Sequence, residues 1–226
     1  MNKKLEVYWQ EPQKHERFMI GTLSYCNEMY IFKYVKNFEE LRQKGFCEIF
    51  PFLDSNQVYS SHKMFSVFSS RLPDAKQIGI EKILKKYNLT SYDEFELLAR
   101  SGGRVPRDTL EFIVPIDENT TGIVKFYIAG VSHCCCKKDI SLNINIPINS
   151  LLQFQLEPQN QYDTNAIFLT YNNNKIGYIP KYYSEGFTKI IKKGKKVSIK
   201  VSENHLNTCN SLNECRLCIG VDAEII

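Results

Sequence analysis

The sequence predicts an α+β protein of two domains. A mixed α/β unit spans residues 1–118, and a small, mostly β barrel with one short helix spans residues 119–226. Three observations carry this reading. A chain of 226 residues exceeds one average domain without reaching two large ones. Strand-like and helix-like patterns alternate in the first part, whereas short strands dominate the second. The charge also divides at the same place. Residues 1–118 hold 17 basic and 17 acidic side chains, so the whole formal charge of +4 lies beyond Glu118.

Val7 to Gln10, Phe18 to Tyr25 and Met29 to Val35 are rich in aromatic and β-branched residues and read as strands. Cys26-Asn27-Glu28 fits a hairpin connection between the last two. Phe38 to Lys44 reads as a helix stopped by Gly45. Ile80, Ile83, Leu84 and Tyr87 fall at helical spacing within Ile78 to Tyr87. Ser91 and Glu94 form a capping-box pattern, opening a helix that turns Phe95, Leu97 and Leu98 inward and ends before Gly102-Gly103. Thr109 to Ile116 is then a strand, and Asp117 to Gly122 is polar enough to be a linker.

Beyond the linker, Ile123 to Val131, Leu151 to Leu156, Ala166 to Tyr171, Lys175 to Ile179, Lys196 to Val201 and Leu217 to Ile225 read as strands. Asn172-Asn173-Asn174 suits a tight turn, because asparagine tolerates left-handed backbone. One helix fits between strands, capped by Ser184, lined by Phe187, Ile190 and Ile191, and stopped by Gly194. Many short strands with one helix suggest a small barrel.

Seven lysines lie between Lys181 and Lys200, against one acid, Glu185. The run either solvates an exposed face or presents an anion-binding patch that includes Lys192 and Lys193, with nucleic acid the first suspect. Eight cysteines, three of them consecutive at Cys134–Cys136, with no apolar leader after Met1, point to a reducing cytoplasm rather than a disulfide framework. No apolar run approaches a membrane span. His205, Cys209, Cys215 and Cys218 have loose zinc-site spacing without a second ligand pair, and buried strand thiols are the alternative. No metal or cofactor is expected.

The most distinctive stretch is Leu156-Glu157-Pro158-Gln159-Asn160-Gln161-Tyr162-Asp163-Thr164-Asn165-Ala166-Ile167, followed by Lys175-Ile176-Gly177-Tyr178-Ile179-Pro180-Lys181. A strand ends at Pro158, a polar loop presents Tyr162 and Asp163, and a new strand begins at Ala166. Tyr162 and Tyr178 can stack on bases, Lys181 can meet a phosphate, and Asp163 suits a sugar hydroxyl but repels a phosphate. Such a set favours a strand end with a free hydroxyl. The alternative is that Asp163 caps its own loop and the tyrosines belong to the core.

Residues 123–226 resemble a HIRAN domain, an OB-like barrel module. The resemblance rests on Ala129-Gly130, Leu156-Glu157-Pro158, Asn160, Tyr162-Asp163, Asn165-Ala166-Ile167 and Gly177-Tyr178-Ile179-Pro180. It implies binding of single-stranded DNA at its 3′ end, with Tyr162 stacking on a base, Asp163 on the 3′ hydroxyl and Lys181 at a phosphate. Tyr178 falls where helicase-linked members carry a histidine. Ser132 and His133 fall where they carry an arginine and an aromatic residue.

The first half resembles the N-terminal subdomain of HipA-type kinases through Val7-Tyr8-Trp9, Arg17, Gly21-Thr22-Leu23, Tyr59-Ser60-Ser61, Phe65, Arg71-Leu72-Pro73, Leu97-Leu98 and Gly102-Gly103-Arg104. That resemblance implies an antitoxin-like or accessory unit that meets a protein partner through residues 1–118, and no kinase activity is expected. Arg71, Arg104 and Arg107 either form a second anion site or pair with acids such as Asp74 and Asp108. No phosphate-cradling glycine loop, nucleophile elbow or clustered acids can be found, so the chain reads as a binder rather than an enzyme.

Overall fold

The structure, a computed structural model, describes residues 3–13, 16–131, 134, 146–204 and 219–226. The chain divides into two units, Met1–Pro115 and Ile116–Ile226.

In the first unit β1 (Lys3–Gln10), β2 (Arg17–Cys26), β3 (Met29–Tyr34), β4 (Val58–Ser61) and β5 (Leu110–Ile113) form one antiparallel sheet in the order β4-β3-β2-β1-β5. Alternation places Leu5, Val7 and Trp9 of β1 inward. The β2–β3 hairpin turns at Asn27 and Glu28, whose φ angles of 50° and 60° are those of the turn that matches strand twist. Helices α1 (Phe38–Gln43), α2 (Ser66–Ser69), α3 (Ile80–Lys86) and α4 (Glu94–Ser101) complete the unit. Its core is unusually aromatic. Phe32, Phe52, Phe68 and Phe112 are fully buried, with ring centroids 4.6 Å apart for Phe32–Phe52 and 5.1 Å for Phe68–Phe112.

Two features depart from the sequence reading. The cap of α4 is Asp93, whose carboxylate accepts the Glu96 amide at 3.0 Å, and not Ser91. Asp93 gains further because Lys3 reaches both it and Glu96, at 3.0 and 2.9 Å. The short β4 and α2 had no sequence signal. The arginines follow the pairing alternative. Arg71, with a side chain only 1% exposed, grips Asp108 through both terminal nitrogens at 2.9 and 2.5 Å and donates to the Gly103 carbonyl at 3.1 Å. Arg104 pairs with Glu111, and Arg107 donates to Ser70 at 2.6 Å. Asp74 instead accepts the Lys76 amide.

In the second unit β6 (Gly122–Tyr127), β7 (Leu151–Leu156), β8 (Ile167–Tyr171), β9 (Asn174–Tyr178), β10 (Val197–Asn204) and β11 (Ile219–Ile225) form a six-stranded sheet in the order β6-β11-β10-β7-β8-β9. Helix α5 (Lys181–Lys192) buries Phe187 and Ile190, and Phe187 packs on Phe126 of β6 at 5.8 Å. The Asn172-Asn173 turn has φ values of 49° and 64°. The expected barrel is not closed. Past the end of β6, Ala129 and Tyr178 exchange two backbone hydrogen bonds, of 2.8 and 2.9 Å, and this isolated bridge joins the sheet's two edges without a ladder. Gly177, at φ 152°, permits this bridge, because a Cβ there would sit 2.4 Å from Ile128 Cγ2 and 2.6 Å from the Ala129 oxygen.

Gly177→Ala should therefore lower stability by about 3 kcal/mol, combining overcrowding with backbone strain, in urea unfolding followed by circular dichroism. Arg71→Ala should cost roughly 2–3 kcal/mol, less than a fully buried pair because Asp108 is partly exposed. A change below about 0.5 kcal/mol in that variant would mean that the pair does not hold the first unit together.

Candidate nucleic-acid interface

The β7–β8 connection is a closed polar loop. The Glu157 amide bonds the Ala166 carbonyl at 2.8 Å across its neck, and the Ala166 amide bonds the Asp163 carbonyl at 3.0 Å within it. Asn160 shapes the tip. Its side-chain oxygen accepts the amides of Tyr162 and Asp163 at 2.9 and 3.2 Å, a local turn that asparagine makes well. Its side-chain nitrogen donates to Glu157 Oε2 at 2.7 Å.

Glu157 gathers two more donors from β9. Tyr178 OH donates to Oε2 at 2.9 Å, and Lys175 Nζ lies 3.0 Å from Oε1. The Asn160 bond, then those of Lys175 and Tyr178, hold the Glu157 carboxyl below its usual range. Burial pulls the Lys175 ammonium downward, but its interactions with Tyr178 and Glu157 outweigh that and raise it. The ammonium also lies 4.3 Å over the Tyr178 ring and 4.6 Å over that of Phe168.

Tyr162 projects from the loop with 78% of its surface exposed, although the backbone beneath it is fixed. Asp163 is held on two sides, by the Asn165 amide at 2.9 Å on Oδ1 and by Ser184 Oγ at 2.6 Å on Oδ2. Its loop-capping role is thus real, and a carboxylate with about four lone-pair sites keeps capacity for a further donor. Ser184 is buried inside α5 and does not cap it; the residue preceding the helix is Pro180, without a side-chain cap. Lys181, first in α5, is exposed and reaches the Tyr162 carbonyl at 3.3 Å.

Tyr162, Asp163, Tyr178 and Lys181 therefore converge on one loop and its supports. Lys192 and Lys193 do not join them. Eleven or more residues along α5 put them about 16 Å farther on at 1.5 Å per residue. Lys193 donates to Asn119 at 2.8 Å, Lys195 to the Thr120 carbonyl at 2.9 Å, and Lys189 pairs with Glu185 at 2.6 Å. Much of the lysine run is thus engaged within the unit. Ser132 and His133 lie outside the described residues, as do His205, Cys209, Cys215 and Cys218. Among the described residues no cluster of three or more His, Cys, Asp or Glu could hold a metal ion. No helix among them is long and apolar enough to cross a membrane.

Residues 121–217 match the HIRAN domain. Residues 13–106 match the HipA N-terminal domain. Two solved structures are also similar. The HIRAN domain of human HLTF shares 17% identity over 46% of this chain and 74% of its own, with a TM-score of 0.36. A protein from Lactobacillus plantarum shares 18% over 47% of this chain and 95% of its own, also at 0.36. No curated protein matches. The HIRAN domain is known for binding DNA, and a DNA-binding second unit agrees with that match.

Within the second unit, sequence reasoning gave Glu157, Asn160 and Lys175 no part in positioning the loop, and it read Ser184 only as a helix cap. Glu157 and Asn160 were visible only as part of the matching motif, and the one physical signal was the placement of Asn160 two residues before Tyr162, the spacing of a side chain that bonds its own backbone.

A carboxyl lowered in the folded state stabilises above its unfolded value and loses that contribution as pH falls through the folded one. The amide resonances of Tyr162 and Asp163 should hence hold steady at neutral pH and shift cooperatively only below about pH 4.5, the ordinary value for this side chain. Glu157→Gln should abolish that step in an NMR pH titration. A step that persists in the variant would assign it to another acid.

Proposed function

We propose that the HIRAN unit binds single-stranded or frayed DNA at its 3′-hydroxyl end, as a binding module without catalysis of its own. The observation that carries this reading is Tyr162, a largely exposed ring on a loop fixed from below. An aromatic ring held in water by an ordered loop is prepared to stack on a base, a contact worth roughly 1–3 kcal/mol. Lys181, beside the Tyr162 carbonyl, supplies a cation for a phosphate. The free acceptor capacity of Asp163 suits a hydroxyl, and its charge disfavours a phosphate at the same point. The terminal nucleotide of a strand meets all three demands at once.

A second reading concerns the first unit. Phe50 is 76% and Leu53 65% exposed, close in sequence to the edge strand β4. Exposed apolar side chains on the segment leading into an edge strand suit a protein partner, in line with the accessory-subunit expectation.

Tyr162→Ala should weaken binding of a labelled single strand about tenfold or more in fluorescence anisotropy, with the fold unchanged. Asp163→Asn should weaken binding to a 3′-hydroxyl end more than to a 3′-phosphate end. Equal losses for both ends would contradict recognition of the hydroxyl. Affinity should fall with salt at a slope of about −0.7 per neutralised phosphate, and a slope near zero would remove Lys181 from contact.

A further inference from the structure

The outer face of β7, β8 and β9 carries a groove of about 420 Å³, lined by Gln153, Gln155, Phe168, Thr170 and Asn173 among others. Strand register explains how it is built. Gln155, Phe168 and Tyr178 lie directly opposite one another across the three strands. Gln153, Thr170 and Lys175 form the next row on the same face. The first row ends at Tyr178, whose hydroxyl touches both Glu157 and Asn160 beneath the Tyr162 loop. The groove and the loop are therefore one continuous surface, spanning roughly 10 Å across three strands at 4.8 Å spacing.

We propose that this groove is a second subsite, which takes the bases of the nucleotides preceding the strand end. The proposal rests on the end-binding reading of the loop and extends it to residues that reading does not use. The lining is chemically suited to bases rather than phosphates. Gln153, Gln155 and Asn173 offer carboxamides, each with two donors and an acceptor, and Thr170 adds a hydroxyl. Phe168 adds an apolar ring to flank a base, with the Lys175 ammonium over one part of it and fixing its position. The Lys175 charge is already matched by Glu157, so the face has little net attraction for a phosphate backbone. A span of 10 Å corresponds to about three stacked bases at 3.4 Å each. A strand whose last nucleotide sits at Tyr162 and Asp163 would thus lay its preceding bases across Tyr178, Phe168 and the glutamines, with its phosphates turned to solvent.

The test compares a dinucleotide with a hexanucleotide, both ending in a 3′ hydroxyl, on the full chain. Wild type should bind the hexanucleotide about tenfold more tightly. Gln153→Ala/Gln155→Ala, at exposed positions that spare the core, and separately Phe168→Leu should shrink that advantage to about threefold or less while changing dinucleotide affinity much less, because its one preceding base reaches only Tyr178. Tyr162→Ala should weaken both ligands alike. Equal wild-type affinity for the two lengths, or an advantage that survives the groove substitutions, would overturn the subsite and leave end binding intact. Failure of wild type to bind either ligand would overturn the end-binding reading and the subsite with it.

Discussion

The carboxylate of Glu157 is the constraint on which the candidate site depends. It takes one donor from its own loop and two from β9. Through Asn160 that anchoring reaches the amides of Tyr162 and Asp163, so a strand-end carboxylate decides where an exposed ring points. Each bond is worth only about 1–3 kcal/mol by itself, with the charged ones the stronger. Their shared acceptor makes them act together, since loss of one leaves the others worse oriented. The same strand closes the far edge of the sheet through the Ala129–Tyr178 bridge. Tyr178 therefore serves the fold with its backbone and the site with its hydroxyl.

The electrostatics are more selective than a net charge of +4 suggests. A generic DNA-binding face would present free lysines and arginines along a groove. Here much of the lysine run is engaged inside the unit, by Glu185, Asn119 and the Thr120 carbonyl. Lys181 stands at the loop itself, on the Tyr162 carbonyl, while the loop's own carboxylates, Glu157 and Asp163, are held by other partners. Such a mixture holds a long polyanion poorly but suits a ligand with one phosphate, one ring and one hydroxyl in a fixed order.

Most of the fold was legible because its signals are local. Alternation in β1, the paired left-handed residues of both hairpin turns, and the glycines that stop α1, α4 and α5 each act within a few residues. The failures share the opposite property. Ser91 and Glu94 matched a capping pattern, but Asp93 won the cap, helped by Lys3 from ninety residues away. Ser184 looked like a helix cap, yet it is drawn to Asp163, which precedes it by 21 residues. Glu157 finds Tyr178 across 21 residues, a partnership no local pattern announces. The loop residues Tyr162 and Asp163 were visible as a motif; the network that positions them was not, because its members meet only once β7, β8 and β9 pair. The barrel was overread for a related reason, since composition reports strands and not whether their edges meet.

The most direct measurement of the central claim is chemical-shift mapping on the isotopically labelled full chain, titrated with a short single strand ending in a 3′ hydroxyl. The account predicts that the largest amide changes fall on Asn160, Tyr162, Asp163, Tyr178 and Lys181, with residues 1–115 and the Lys192–Lys193 end of α5 little affected. Changes centred on the first unit or on that distal lysine end, with the Tyr162 loop undisturbed, would contradict it.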